Sequence, residues 1–267
     1  MNASGTHPGT GAIGATAIDD GLTRSFERVR TYLSRRAGIE LNEQKMALVR
    51  ARLTRRLRET GAPDFEAYLD LVEAPGGEEE SIRMIDLLTT NKTSFFREGP
   101  HYAYLLEEVI PTWRAGRGPI TIWSAGCSSG QEPYSIAMML REQLPAARFR
   151  EVRILATDLS TEMVARTRAG SYGENDLDGL SPERLEKFFV LGADGRRTVV
   201  PEIREKVHVA RLNLMGAWPM QGPFDLILCC NVMIYFSAHT RGRLVGRHAD
   251  LLAPGAHLFV GHSESLG

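Results

Sequence analysis

Between about Leu22 and Leu88 apolar residues recur every three or four positions, and the strict alternation of a half-buried strand is missing. Phe26, Val29, Tyr32 and Leu33 form one stripe. Leu48, Val49, Leu53 and Leu57 form a second, closed by Gly61 and Pro63. A third helix follows Asp64, a residue suited to an N-cap, and carries Phe65, Tyr68, Leu69 and Val72 until Ala74-Pro75-Gly76-Gly77 interrupts it. A fourth spans roughly Glu79 to Leu88. The pattern predicts an all-helical domain over residues 21–88.

Beyond Pro119 the period changes to short apolar runs separated by helical stretches. Ile120–Trp123, Val152–Thr157, Val207–Ala210, Phe224–Cys230 and His257–Val260 read as strands. Helices are predicted over Tyr134–Leu144, from near Thr161 and from Ala238. Strand and helix in alternation predict an α/β domain over 89–267, a parallel sheet covered on both faces. Ligands in such sheets bind beyond the carboxyl ends of the strands, where strand order reverses.

Composition narrows the class. At 267 residues, 43% hydrophobic and 24% charged, the chain is an ordinary globular protein. No apolar run approaches the roughly 20 residues that span a bilayer. Residues 1–20 are rich in Gly, Ala, Thr and Ser and lack a basic start, which predicts a disordered tail rather than a signal peptide. Three cysteines offer neither a disulfide framework nor a metal-ligand spacing, so no metal and a reducing, cytoplasmic setting are expected. A net charge of -1 gives no general drive toward nucleic acid. One local anomaly stands out: Lys45–Arg58 holds six cations and no acid, with Arg52, Arg55 and Arg56 on one helical face. That face is either simply solvated or docks an acidic partner.

Four stretches carry candidate chemistry. Leu88–Glu98 sets Thr, Asn and Ser before Phe95, Phe96 and Arg97, which reads as a helix-capping loop or as the wall of a ligand site. Ser124–Pro133 is a Gly-containing strand-to-helix turn without the dinucleotide or phosphate-loop pattern. Its Glu132 either stabilises a helix N-terminus or faces a cationic ligand. Asp158, closing the second strand, is an N-cap or a ribose acceptor, and Ser160 and Thr161 compete for the capping role. Asn231–Phe236 places an amide and a phenol where the fourth strand leaves the sheet. A Gly turn, an acid for a cation and an acid for a ribose suit S-adenosylmethionine better than a dinucleotide.

These motifs give the chain a likeness. Leu88–Asn91 with Phe95–Glu98, Trp123–Ala125 with Glu132–Ser135, Asn213-Leu214, Pro223–Asp225, Asn231–Phe236 and Gly261–Glu264 resemble the chemotaxis receptor methyltransferases, the CheR family, from about residue 22 onward. The resemblance implies a class I (Rossmann-like) methyltransferase domain with a small β insert at about 188–207, behind a receptor-docking helical domain. It implies transfer of methyl from S-adenosylmethionine to glutamates on a chemoreceptor's cytoplasmic helical bundle, leaving S-adenosylhomocysteine. Asn91, Thr93, Arg97, Glu132, Asp158, Asn213, Leu214, Asn231 and Val232 would line the cofactor site, with Arg97 and Tyr235 nearest the methyl. Relatives that tether to a receptor's C-terminal pentapeptide carry a Gly-rich three-stranded insert, whereas the short turn Leu191–Arg197 resembles the tether-independent members. Family members also continue with a final antiparallel pair of strands beyond the position of Gly267, so an unpaired sheet edge is expected. The alternatives are a non-catalytic S-adenosylmethionine-binding module and a methyltransferase for another acceptor. The nucleic-acid version of the latter is disfavoured by the missing Pro-Pro after Asn231.

Overall fold

A computed structural model describes residues 13–265, with side chains from residue 23. The chain divides into two compact units, Met1–Leu88 and Thr89–Gly267.

The first unit holds α1 (Ile13–Ala37), α2 (Met46–Thr60), α3 (Phe65–Glu73) and α4 (Glu78–Leu88). Helix α1 begins inside the stretch expected to be a disordered tail, which corrects that expectation over 13–20; residues 1–12 lie outside the described part. No proline follows Pro8 there, and extending an existing helix backward costs far less than nucleating one. The core takes most of the predicted stripes, Phe26, Val29 and Leu33, then Val49 and Leu53, then Tyr68, Leu69 and Val72, and α4 adds Met84, Ile85 and Leu88. Leu33, Leu53 and Leu69 are fully buried, each contributing about 1.5–3 kcal/mol of transfer free energy. Gly61 ends α2 at φ 73°, a left-handed conformation that a side chain would strain, and Asp64 caps α3 by accepting from Ala67 N at 2.8 Å.

A polar knot crosses this core. Glu80 is buried and accepts from Arg56 Nε at 2.8 Å, Arg56 Nη2 at 2.5 Å and Tyr68 Oη at 2.8 Å. Burial alone would raise the Glu80 carboxyl, but the Arg56 fork and the Tyr68 hydroxyl bring it below its ordinary value.

In the second unit α5 (Gly99–Tyr104) passes through a π-turn into α6 (Ile110–Ala115). Then come β1 (Ile120–Ala125), α7 (Gln131–Gln143), α8 (Ala146–Arg150), β2 (Val152–Asp158) and α9 (Thr161–Ala169). There follow β3 (Ser171–Tyr172), α10 (Pro182–Phe188), β4 (Phe189–Leu191), β5 (Arg197–Val199), α11 (Pro201–Arg204) and β6 (Val207–Arg211). The unit ends with β7 (Phe224–Cys229), α12 (Ala238–Ala249) and β8 (Leu252–Val260). The main sheet has the order β6-β2-β1-β7-β8, every pairing parallel. The chain walks outward from β1 through β2 to β6, then returns to the other side of β1 with β7 and β8. Strand order therefore reverses between β1 and β7, and their carboxyl ends, Ala125 and Cys229, mark the crevice. Four consecutive residues at the end of each strand, Ile122–Ala125 and Leu226–Cys229, are buried, because both faces of the sheet are covered.

A second, antiparallel sheet has the order β3-β5-β4. Two of its strands fall in the expected insert at 188–207. The third, Ser171-Tyr172, comes from before it, so the insert is a three-stranded sheet that draws on a wider stretch of chain. Phe189 and Val199 pair across it and face inward, while Val190 and Leu191 on its edge are exposed.

Candidate active site

The turn leaving β1 is fixed by β2. Gly126 N and Cys127 N both donate to Thr157 O, at 2.8 and 2.9 Å. Gly126 has φ 90°, and a Cβ there would overlap the Val232 side chain, so only glycine lets the turn lie against the segment that follows β7. Asp158, at the carboxyl end of β2, accepts from Ser128 N at 2.8 Å and from Ser160 N at 2.9 Å. Two backbone donors aim its carboxylate. The N-cap of α9 is Ser160, whose hydroxyl accepts from Met163 N, so Asp158 is free of that task.

Glu132 lies in the first turn of α7 and accepts from Ser124 Oγ at 2.6 Å. The Cys230 thiol lies against it. Burial pushes its carboxyl up to about 7, with the Ser124 hydroxyl and the Cys230 thiol pulling the other way. Among the described residues no cation forms an ion pair with it. A carboxylate in that state gains most from a cationic ligand, and no Lys or Arg lies anywhere in the Ser124–Pro133 turn to hold a phosphate. The donor set thus fits S-adenosylmethionine.

The strip after Leu88 wraps this turn. Asn91 O accepts from Ser128 Oγ at 2.8 Å, and Phe96 N donates to Ser135 Oγ at 3.0 Å. Phe95 is buried edge-on against Tyr172 and Phe189, and the Arg184 guanidinium sits 4.0 Å from the centre of the Phe96 ring. Arg97 is exposed and donates to Lys92 O at 2.9 Å. Glu98, by contrast, is buried and meets Asn231 Nδ2 at 3.3 Å and His262 Nδ1 at 3.2 Å.

The segment beyond β7 closes the other wall. Asn231 has φ 60°, and its N–H donates to Glu264 Oε2 at 2.8 Å. Val232 packs on Gly126, and the Tyr235 hydroxyl stands 3.5 Å from Thr90 O. Beyond β6, Asn213 Oδ1 accepts from Met215 N at 2.9 Å, and Leu214 O accepts from Arg247 Nη1 at 2.7 Å. Phe96, Ser128 and Asn231 are the non-glycine residues with positive φ among the described residues, one in each segment around the crevice. Such conformations cost about 1–3 kcal/mol apiece and persist where surrounding bonds over-determine them.

Asn91 and Asp158 share Ser128 as a partner, Val232 packs on Gly126 of the same turn, and Tyr235 reaches Thr90 beside Asn91, while Glu132 and Asn231 are bonded to other neighbours. Thr93 and Arg97 lie on the same strip, while Asn213 and Leu214 follow β6, the strand next to β2. Sequence reasoning passed over Ser124, Ser128, Glu98 and Glu264 as site residues. Glu98 and Glu264 stood in motifs that had been quoted, but nothing local shows that two acids so far apart in the chain meet one asparagine.

The three arginines of α2 expected to dock a partner, Arg52, Arg55 and Arg56, do not share one role. Arg56 turns into the helical core, where Glu80 and Glu59 take its guanidinium, so its expected place on a docking face is corrected. Arg52 donates to Leu87 O at 2.8 Å. Arg55 is 77% exposed and pairs with Glu59 at 2.6 Å.

A family model described as the CheR methyltransferase, SAM binding domain, matches residues 91–267, and one described as the CheR methyltransferase, all-alpha domain, matches 24–89. A probable chemotaxis protein methyltransferase of Rhizobium etli is 41% identical over 237 residues, covering 86% of this chain and 88% of that protein. The chemotaxis protein methyltransferase of Escherichia coli is 40% identical over 245 residues, covering 90% and 84%. Chemotaxis protein methyltransferase 1 of Pseudomonas aeruginosa is 38% identical over 252 residues, covering 90% of each chain.

Proposed function

The chain belongs to the CheR methyltransferase family, and on that premise we propose that it methylates glutamate side chains on the cytoplasmic helical bundle of a chemoreceptor. The products are glutamate methyl esters and S-adenosylhomocysteine. Its class, an S-adenosylmethionine-dependent methyltransferase of chemotaxis, comes with the family. The acceptor and the role of each residue are the proposal. The observation that carries it is Glu132, a withdrawn carboxylate at the switch point with which no cation among the described residues forms an ion pair.

When bound, S-adenosylmethionine supplies a methyl group on a sulfonium, beside an ammonium and a ribose. Glu132 would answer the cationic end and Asp158 the ribose hydroxyls. Asn91, Thr93, Arg97, Asn213, Leu214, Asn231 and Val232 would line the rest. A glutamate acceptor has a reference pKa of about 4.3 and is already ionised at neutral pH, so no residue need act as general base. The protein's work is orientation, worth about 7–11 kcal/mol in favourable cases. Arg97, with one of its five donors spent on Lys92 O, has others to orient the carboxylate. Tyr235 shapes the methyl pocket. Arg52 and Arg55 form the receptor-docking face, without Arg56. The setting is cytoplasmic. Because the insert does have the three strands that tethering relatives carry, independence of a C-terminal pentapeptide rests on its short turn, Leu191–Arg197, alone.

The test is incubation of the full chain with radiolabelled S-adenosylmethionine and receptor cytoplasmic fragments, with and without their last residues. Base-labile label on both fragments is the expected result. Label that resists base, or none, overturns the acceptor. Label only on the longer fragment overturns the tether-independent reading.

A further inference from the structure

Asn231 is held from three sides, by Glu264, Gly261 and Glu98, and the two carboxylates also act at longer range on Glu132, whose carboxyl they help to raise. Its main chain is in the left-handed region at φ 60°, an uncommon state for a residue with a side chain. Its N–H donates to Glu264 Oε2 at 2.8 Å, and the same carboxylate accepts from Gly261 N at 2.6 Å and Ile234 N at 3.2 Å. One side chain thus gathers both ends of the Asn231–Ile234 turn and pins them to the end of β8. Gly261 lies so close that a Cβ on it would overlap Asn231 Nδ2, and it would meet Glu264 Oε2 at 2.9 Å. The third contact is to the amide. Glu98 is buried, and its Oε1 lies 3.3 Å from Asn231 Nδ2. An ionised carboxylate only accepts, so it selects the amide orientation with the NH2 toward Glu98 and the carbonyl oxygen away from it. A bare asparagine on a turn would sample both orientations.

We propose that Glu98 and Glu264 are positioning residues that act through Asn231: Glu264 holds its backbone in the left-handed state, and Glu98 turns its amide so that the carbonyl oxygen is presented as an acceptor to the cofactor. The inference rests on the cofactor reading of the crevice. It asks for nothing from the acceptor protein. Exposed carboxylates near a loop are commonplace, but here three backbone donors from two separate segments converge on one of them. The other is withdrawn from water and bonded to a residue 133 positions away.

Calorimetric titration of the full chain with S-adenosylhomocysteine separates the possibilities. Glu264→Ala should weaken binding about tenfold, the scale of one lost charge-assisted hydrogen bond, and Glu98→Gln by a few-fold. Because both act through one residue, Glu264→Ala added to Asn231→Ala should cost little beyond Asn231→Ala alone. In an Asn231→Gly background, where the left-handed backbone is unstrained, loss of Glu264 should likewise matter less. Wild-type affinity in Glu264→Ala, or losses that simply multiply in the double variant, would overturn the clamp. Should Glu264→Ala unfold at the assay temperature, Glu98→Gln and its double variant with Asn231→Ala decide by the same criterion. Absence of binding in the unaltered chain would sink the cofactor reading and the clamp with it, an outcome distinct from either.

Discussion

Glu80 in the helical unit and Glu132 in the sheet unit are both drawn away from water, and the chain treats them in opposite ways. Glu80 meets a two-pronged guanidinium and a phenol, and its carboxyl falls below the ordinary range. Glu132 meets one hydroxyl and one thiol, and its carboxyl rises from 4.5 to about 7. Burial penalises a charge in both places. Only at Glu80 does the fold supply the opposite charge. The difference accords with the proposal that Glu80 is structural while Glu132 is answered by a ligand. A buried acid without a cation is a candidate to meet one on a ligand, which is the role proposed for Glu132.

The largest effect should come from breaking the satisfied side of this contrast. Arg56→Ala leaves buried Glu80 with only the longer ion-pair contact to Arg83 Nη1 at 3.7 Å, and removal of one member of a buried pair costs about 3–5 kcal/mol. Urea unfolding of the variant should show that loss, while a change of less than about 1 kcal/mol would mean that water reaches Glu80. The pair's contribution is present above the unfolded carboxyl value of 4.5 and disappears as pH falls through the lower folded value.

Glu132→Gln should do the reverse. The amide keeps an acceptor for Ser124 Oγ and removes a charge that burial disfavours, so stability should hold or rise slightly. Affinity for S-adenosylmethionine should fall about 10- to 100-fold, since a hydrogen bond to a charged group is worth roughly 1.5–3 kcal/mol. A variant that unfolds easily yet binds normally would assign Glu132 to the structural class beside Glu80.

A pH titration sharpens the same point with a smaller expected effect. A cationic ligand favours the ionised form of Glu132, and with its carboxyl at about 7 roughly a tenth of molecules carry that charge at pH 6. Apparent affinity should therefore be lower at pH 6 than at pH 8 by about tenfold, and binding at pH 7 should release protons. Stability moves the other way. The folded state holds the Glu132 proton more tightly than the unfolded chain, so this group's contribution falls as pH rises from about 4.5 to about 7. In Glu132→Gln both dependences should flatten, and a profile unchanged by that substitution would point to another group.

Much of this was legible in the residues, and what escaped has a physical reason. Apolar period marks the helices and strands because burial repeats with backbone geometry, and Leu33, Leu53 and Trp123 lie buried in elements the pattern predicts. Glu132 and Asp158 could be singled out because each sits where a strand hands over to a helix, a place that function uses repeatedly. Pairings across long stretches of chain leave no local trace. Arg56 looked like part of an exposed stripe, yet its partner Glu80 lies 24 positions later. Glu98 and Glu264 converge on Asn231 only once β1, β7 and β8 are side by side. The strand Ser171-Tyr172 is two residues long and carries no alternation to read.

That lesson about Arg56 leaves α2 with a thinner basic face and a milder prediction. Arg55 is 77% exposed, and solvent screens its pair with Glu59. Arg55→Glu should therefore leave unfolding within about 0.5 kcal/mol of the unaltered chain and leave S-adenosylhomocysteine affinity alone. If α2 docks an acidic receptor surface, the same change should slow receptor methylation a few-fold at low salt, and the difference should shrink as salt screens the charges. Arg56→Met isolates the alternative, because it lowers stability while leaving the exposed cations Arg50, Arg55 and Arg58 in place. Equal methylation by Arg55→Glu and the unaltered chain at low salt would reduce the arginine stripe to a solvated helix face, with Glu80's partner its one indispensable member.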